Sequence, residues 1–292
     1  MPPDSTGTLT IDSLLNGVSA VPSLPLFYER LDEAINHPRS SISDIAKLIS
    51  EDQGLTARIL KLANSPLFGY FSRIDTITQA VTIIGVQQVR DLALAVSVVG
   101  LFKGIPEDLI TMELFWKHSI ACGLTARILA TSQRETNLER FFVSGILHDI
   151  GRLVMFINAP GPSREMIEVC RSEGRLLHDV ERERFGFDHG EVGGRLLRAW
   201  KIPARVAEPV ECHHCCSRAG QYPRETAILH LADLIAHALE FGSSGEVLVP
   251  QLDHQAWERL TMTPHILPSL VKQIDQQFAE TVKILEAKDA GD

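Results

Sequence analysis

The stretch from Phe141 to Phe156, FFVSGILHDIGRLVMF, most constrains how this chain folds. It reads as an apolar helix with an imidazole and a carboxylate, His148 and Asp149, side by side at its centre and Gly151 just beyond. Burying a carboxylate in such a segment is costly unless something compensates its charge. A metal cation is one compensator, because imidazole nitrogen and carboxylate oxygen bind it directly and the cation offsets their desolvation. The plain alternative is a helix-end histidine followed by an aspartate that caps the next turn. Further ligands elsewhere in the chain decide between the two, and Gly151 is expected to let the chain turn sharply after the pair.

At 292 residues the chain has material for about two domains of ~150 residues each and for a large core. Hydrophobic residues make up 45% and aromatics only 6%, an Ala/Leu/Ile/Val-rich balance that favours packed helices over stacked sheets. The expected fold class is therefore all-α, a multi-helix bundle. A net charge of -9 argues against nucleic acid as a partner, which needs a surplus of Lys and Arg on the contact face. The start, MPPDSTGTLT, lacks the charged and apolar runs of a signal peptide. Together with five cysteines, an odd number, it points to a reducing, cytoplasmic setting. The apolar run Leu92–Phe102 is shorter than the ~20 residues of a membrane helix, so no membrane association is expected.

Residues 1–20 are polar and read as an N-terminal arm. From Ser41 to Asn64 the pattern is helical: Ser41 and Asp44 suit a capping box, Ile45, Leu48 and Ile49 form one stripe, and Leu55, Ile59 and Leu62 another. Two short helices in series invite a helix-turn-helix reading, but Arg58 and Lys61 alone face phosphates there, and packing explains the segment better. A helix from about Thr78 ends at Gly85, and a longer one follows through Val89, Leu92, Ala93 and Val96. Phe115, His118, Ser119, Cys122, Ala126 and Leu129 share one helix face. Asn158–Pro162 reads as a loop, Asp188 as an N-cap boxed by Glu191, the pair Gly193–Gly194 as a site of close helix approach, and Pro203 as the first residue of a helix ending in Glu211–Cys216. Asp233 lies on a further helix with His230 and His237 on its face.

The run ISDIAKLISEDQGLTARILKLANSPLFGYFSRIDTITQAVTIIGVQQVRDLALA resembles the HDOD family, output-type relatives of the HD-domain metal-dependent phosphohydrolases. LKLANSPLFG and AVTIIGVQQVRDL are its most specific parts, the likeness continues to about residue 240, and Gln53 stands where the family usually has proline. The resemblance implies an N-terminal helical subdomain over 21–110, an HD-like metal-binding helical domain over 111–285, and a tail from 286 to 292. His118, His148-Asp149 and Asp233 match the H…HD…D signature of the HD superfamily. His189 and the pair His213-His214 match the added ligands of its two-metal members, notably the HD-GYP cyclic-di-GMP phosphodiesterases. The implied cofactor is a pair of divalent transition-metal ions, with Fe, Mn, Zn and Ni not distinguished.

Such a set suits phosphoester hydrolysis, with Asp149 bridging two metals ~3.5–4 Å apart and a bound water made acidic enough to attack phosphorus. Arg152 is placed to hold an anion with paired N–H donors. Several substrate-side positions depart from the phosphodiesterase pattern. The lysine of the HD-x-G-K run is Arg152, the acidic residue after the HH pair is Cys215, and Gly220-Gln221-Tyr222-Pro223 only partly echoes the GYP loop. Cys212 and Cys215 form a C-x-x-C that suggests a zinc knuckle, but no second ligand pair has matching spacing. His178, His230 and His237 read as solvated or outer groups. The expected function is a signalling output module that binds a protein partner or a small nucleotide, and the alternative is a metal-dependent phosphohydrolase acting on a nucleotide or cyclic dinucleotide.

Overall fold

The computed structural model of the chain describes residues 9–16, 23–69, 73–102 and 104–286, and every regular element among them is helical. Inside the expected N-terminal arm, residues Ile11–Asn16 form a short helix, α1. Its Leu14 is buried, and Asn158 Nδ2 donates to the Leu14 carbonyl at 3.1 Å, so this segment is docked on the later helices. A mostly polar stretch hides such a helix because one buried leucine suffices to anchor it. Residues 1–8 and 17–20 of that arm, and 287–292 of the tail, lie outside the described residues.

Helices α2 (Leu26–Asn36), α3 (Ile42–Ser50), α4 (Gln53–Ala63), α5 (Ile77–Ile84) and α6 (Val86–Val99) follow. The Ser41 hydroxyl accepts from the Asp44 N–H while the Asp44 carboxylate accepts from the Ser41 N–H at 2.9 Å, the reciprocal box that starts α3. Leu55, Ile59 and Leu62 of α4 are buried, which makes α4 a packing helix. Gly85 has φ +105°, a value that favours glycine, and there the chain bends by 119° from α5 into α6.

The VRDL part of the family-like run has a structural use. Arg90 and Asp91 of α6 are both buried, with Arg90 Nη2 2.9 Å from Asp91 Oδ1 and Nη1 3.2 Å from Asp32 Oδ1 on α2. Burial pushes the Asp91 carboxyl up while Arg90 pulls against it. Neither charge tolerates losing the other, and the pair ties α6 to α2.

The second part comprises α7 (Met112–Ser132), α8 (Glu139–Leu147), α9 (Ile150–Asn158), α10 (Pro160–Glu173), α11 (Leu177–Phe185), α12 (His189–Ala199), α13 (Ala204–Cys212), α14 (Pro223–Ala238), α15 (His254–Leu260) and α16 (Leu267–Leu285). Helix α6 packs on α8 and α4 on α16, and a single apolar core runs from Leu14 to Leu285.

Three local expectations are corrected here. Phe141–Phe156 is two helices, broken at Asp149 (φ −98°, ψ 7°), and Gly151 lies within α9, where its missing Cβ serves packing. The loop expected over 158–162 shrinks to Ala159, because Pro160 and Pro162 fit the first turn of α10, whose N–H groups have no helical partners. Pro203 precedes α13 as its cap. The stretch Glu139–Asn158 has the length and apolarity of a membrane span, yet 89% of its most apolar window is buried inside the protein.

Candidate metal centre

Helix α7 carries His118 on the face it buries against α8 and α14. The break between α8 and α9 leaves His148 and Asp149 at a helix end, where both side chains can aim the same way. Asp188 caps α12 by accepting from the Glu191 N–H at 2.9 Å, which sets His189 as the first residue of that helix. The Glu191 side chain does not complete the expected box; it pairs instead with Arg182 and Arg218. His213 and His214 follow the end of α13, and Asp233 projects from the middle of α14.

These seven residues meet in two groups. His118, His148 and Asp233 form one, and Asp149, His189, His213 and His214 the other, with the ligand atoms of each group within 4.8 Å of one another. Asp149 touches both: its Oδ2 is 3.2 Å from His148 Nε2 and its Oδ1 is 2.9 Å from His189 Nε2. Asp233 Oδ1 lies 3.2 Å from His118 Nε2 and 3.3 Å from His148 Nε2. His214 Nε2 faces His189 Nε2 at 2.9 Å. Two donor atoms bound to one ion at ~2.1 Å each stand about 3.0–3.4 Å apart, so these spacings suit shared coordination.

The chemistry of the donors fits an ion as well. His118, His148, Asp149, His189, His213 and Asp233 are 0–2% exposed. His118 Nε2, His148 Nε2, His213 Nε2, both Asp149 oxygens and Asp233 Oδ1 make no hydrogen bond within the protein. Buried polar atoms without partners are rare, because each one left so costs about 1–3 kcal/mol and more when charged. Here they all converge on one place, where a cation would satisfy them together.

In three of the rings the opposite nitrogen is held. His148 Nδ1 donates to the Gly145 carbonyl at 2.7 Å and His213 Nδ1 to the Val210 carbonyl at 2.7 Å. His189 Nδ1 donates to Glu181 Oε2 at 2.6 Å, and the same oxygen accepts the His189 backbone N–H at 2.9 Å. Fixing Nδ1–H in this way leaves the Nε2 lone pair free for a metal. The sequence gives no warning of Glu181, which sits in the charged run ERER and reads as solvated but is 1% exposed. Glu181→Gln is expected to weaken metal binding 10–100-fold while the fold persists, the usual cost of losing an outer partner; equilibrium dialysis against Mn²⁺ measures it.

Charge is unevenly spread over the rings. Burial lowers the pKa of His118 to about 4 and that of His213 to about 3, with the neighbouring imidazoles adding to the effect. Burial also opposes charge on His148 and His189, but Asp149 beside both and Glu181 beside His189 outweigh it. His148 is raised well above its usual value and His189 to about 9. Burial works against ionised Asp149, yet Arg152 and His148 hold it well below the usual carboxylate range.

Arg152, expected to face an anion, is enclosed. Its guanidinium is 1% exposed; Nη1 donates to the Ser244 carbonyl at 3.1 Å and hydroxyl at 2.7 Å, and Nε lies 3.5 Å from Asp149 Oδ1. Its i,i+3 spacing from Asp149 places it under the loop after α14, where it positions that carboxylate. His230 is structural: it donates Nδ1–H to the His213 carbonyl at 2.8 Å and accepts the Asp253 N–H at 2.9 Å. His178 stacks on His214 with centroids 4.1 Å apart. Among the described residues neither ligand group includes a cysteine, and burial pushes the Cys212 thiol up to about 12.

With this geometry in view, the comparisons are specific. A profile of the HDOD domain matches residues 21–216, two thirds of the chain and more than its family-like motifs alone. The chain belongs to the HDOD family. The HDOD protein resembles a crystal structure of an HDOD domain protein of unknown function from Geobacter sulfurreducens, with 25% identity, TM-score 0.76, and 95% of this chain and 97% of that one covered. A Shewanella amazonensis protein provisionally named a phosphohydrolase matches at 25% identity and TM-score 0.70, covering 94% of this chain and 98% of its own. An uncharacterised protein of Treponema pallidum is 26% identical over 203 residues, and the match spans 69% of this HDOD chain but only 39% of that protein.

Proposed function

We propose that this HDOD protein is a signalling output module whose HD-like half holds two divalent metal ions around Asp149, and that the ions brace the domain and the surface it shows to a protein partner or small nucleotide. The observation that carries this reading is enclosure. All the ligands but the half-buried His214 are buried, and Arg152 beside them is spent on Ser244 rather than offered to a phosphate. His118, His148, Asp149 and Asp233 would hold one ion, and Asp149, His189, His213 and His214 the other. Four protein donors per ion is the closed arrangement of structural sites, whereas catalytic sites keep a position open. The Ser244 that Arg152 grips begins a loop whose Val247, Leu248, Val249 and Leu252 are exposed, an apolar patch tied directly to the centre.

A second reading, a metal-dependent phosphohydrolase, draws on one feature: a single carboxylate shared by two ligand groups. Such a metal pair lowers the pKa of a bound water and stabilises the charge that develops in phosphoester cleavage. The chain's own contribution would then be Asp149 held in place by Arg152, and imidazoles kept in one tautomer by Gly145, Val210 and Glu181. Metal analysis of the purified protein, followed by assays of nucleotide and cyclic-dinucleotide hydrolysis with added Mn²⁺ or Fe²⁺, separates the readings. Turnover abolished by His148→Ala would overturn the bracing role; a protein that takes up no metal overturns both.

Metal uptake should be linked to protons with a definite sign. His148 and His189 carry protons at pH 7 in the metal-free protein, and a ligand must shed its proton to bind. Uptake at pH 7 is therefore expected to release about two protons, while His118 and His213, already neutral, release none. Affinity rises with pH up to about 9, where His189 loses its proton unaided. The metal-free fold behaves oppositely at this residue: a folded pKa above the unfolded value of ~6.5 adds stability below that value, lost as pH climbs through the folded one. Calorimetric titration in buffers of different ionisation enthalpy reads the proton count, and uptake with no proton release refutes the assignment.

A further inference from the structure

We propose that Cys212 and Cys215 form a redox pair, and that closing it as a disulfide releases the ion held by Asp149, His189, His213 and His214. The bond rests on the turn that carries the two thiols, and its consequence rests on the metal reading above. Cys212 ends α13, and the Cys215 N–H donates to the Cys212 carbonyl at 2.9 Å. A four-residue turn closed in this way brings its end α-carbons within ~7 Å, and disulfides join α-carbons ~4.4–6.8 Å apart. The two residues enclosed by the turn are His213 and His214, both in one ligand group.

The thiols are not equivalent. Cys122, Cys170, Cys212 and Cys216 are buried, whereas Cys215 is half-buried, its Sγ 3.5 Å from the Ser217 hydroxyl. An oxidant therefore meets Cys215 first. Cys212 lies near enough to Cys215 for a charge on one to oppose a charge on the other. Cys216 shares that neighbourhood, but its thiol is held by Asp253.

With hydrogen peroxide as oxidant the steps balance. The Cys215 sulfur attacks one peroxide oxygen, the O–O bond breaks, and water leaves behind a sulfenic acid. The Cys212 sulfur then attacks the Cys215 sulfur, the S–O bond breaks, and hydroxide departs with the thiol proton as a second water. Burial pushes the Cys212 thiol up to about 12 and makes it a weak nucleophile, but a partner within one turn acts at high effective concentration.

Bonding draws the sulfurs to ~2.05 Å and pulls Cys215 toward the end of α13. His214 adjoins Cys215, with its Nε2 2.9 Å from His189 Nε2, and His213 is fixed from the other side by its bond to the Val210 carbonyl. Metal–donor distances tolerate changes of only about 0.2 Å, so a turn tightened around these rings no longer presents both to the ion. The group of His118, His148 and Asp233 takes no ligand from the turn and keeps its ion.

The test treats the full chain, loaded with redox-inert Zn²⁺, with hydrogen peroxide and follows metal content and peptide masses. Wild type is expected to form the Cys212–Cys215 bridge, to release one of its two ions, and to take it up again after reduction with dithiothreitol. Cys215→Ser and Cys212→Ser should keep both ions through the same treatment, and Cys170→Ser should behave as wild type. A wild type that forms no bridge overturns the proposal, as does a bridge with both ions retained or an equal loss of metal from Cys215→Ser. Reduced wild type that binds no Zn²⁺ overturns the metal reading instead, a failure visible before any peroxide is added.

Discussion

Asp149→Asn is expected to empty both metal positions at once, taking the metal content from two ions per chain to nearly none. The carboxylate is the one group common to both ligand sets, Oδ2 lying 3.2 Å from His148 Nε2 and Oδ1 2.9 Å from His189 Nε2. Asparagine keeps the volume but removes the negative charge and replaces one acceptor oxygen by an amide donor. That donor faces either the His148 or the His189 ring. In both orientations His189, His213 and His214 are left with no anionic ligand, while the His118 and His148 group keeps Asp233 as its only one and loses a fourth donor or faces a donated N–H. His189→Ala, which touches one group alone, should leave one ion bound. The substitution also strands Arg152, whose Nε sits 3.5 Å from Asp149 Oδ1 in a buried setting. Breaking a buried pair from one side costs about 3–5 kcal/mol. For a chain of this size that is a fall of about 5–8 °C in melting temperature. Metal analysis and thermal melts of the two variants decide the matter; an Asp149→Asn protein that retains one ion at full occupancy would show that the carboxylate serves a single position.

The bundle itself is legible in the chain because its signals are local. The Ser41–Asp44 box, the stop at Gly85 and the stripes Ile45/Leu48/Ile49 and Leu55/Ile59/Leu62 each act within a turn or two, and the structure uses them as the pattern implies. The seven clustered residues are legible mainly through the family resemblance: only His148-Asp149 is conspicuous by itself inside an apolar helix, where a charge demands an explanation, while His189 and His213-His214 stand out as matches to the ligands of the two-metal relatives. What surrounds them is not. Glu181 belongs to a run, ERER, in which nothing marks the one carboxylate that turns inward; only the packing of α11 beside the start of α12 does so. His237 looks like any late-helix histidine until Asp233, one turn earlier, is seen to face His118 and His148.

The break at Asp149 is hidden for a related cause. The apolar pattern runs through it without interruption, so periodicity alone reads one helix from Phe141 to Phe156. The interruption is enforced by tertiary contacts, since α8 packs on α7 while α9 packs on α12. Arg152 shows the same limit. Its spacing from Asp149 is plain in the sequence, but its partner Ser244 lies 92 residues away and turns the guanidinium from a possible anion holder into a strut.

Gly151→Ala is the sharpest test of that tertiary enforcement, and it is expected to cost more stability than most single-methyl changes. A Cβ at this position would stand 2.0 Å from the His189 carbonyl oxygen and 2.6 Å from the Gly193 N–H nitrogen. Both are backbone atoms of α12, so no side chain can rotate aside, and α9 must move away from α12 by more than an ångström. Extra methylenes in a packed core cost about 1–3 kcal/mol when side chains can adjust. With backbone on both sides the expected loss is on the order of 4 kcal/mol or more, in the range reserved for severe core lesions. Metal binding should fall with it, because Asp149 and His189, whose donor atoms are 2.9 Å apart, ride on the two helices being separated. Gly100→Ala is the control: no atom lies within 4 Å of its would-be Cβ and its φ is −89°, so a gain of about 0.4–1 kcal/mol is expected there. Denaturant midpoints for both variants, with metal content for the first, measure these effects. A Gly151→Ala protein within 1 kcal/mol of wild type and still holding two ions would mean that α9 and α12 are not locked together, and that the cage tolerates a shift its geometry forbids.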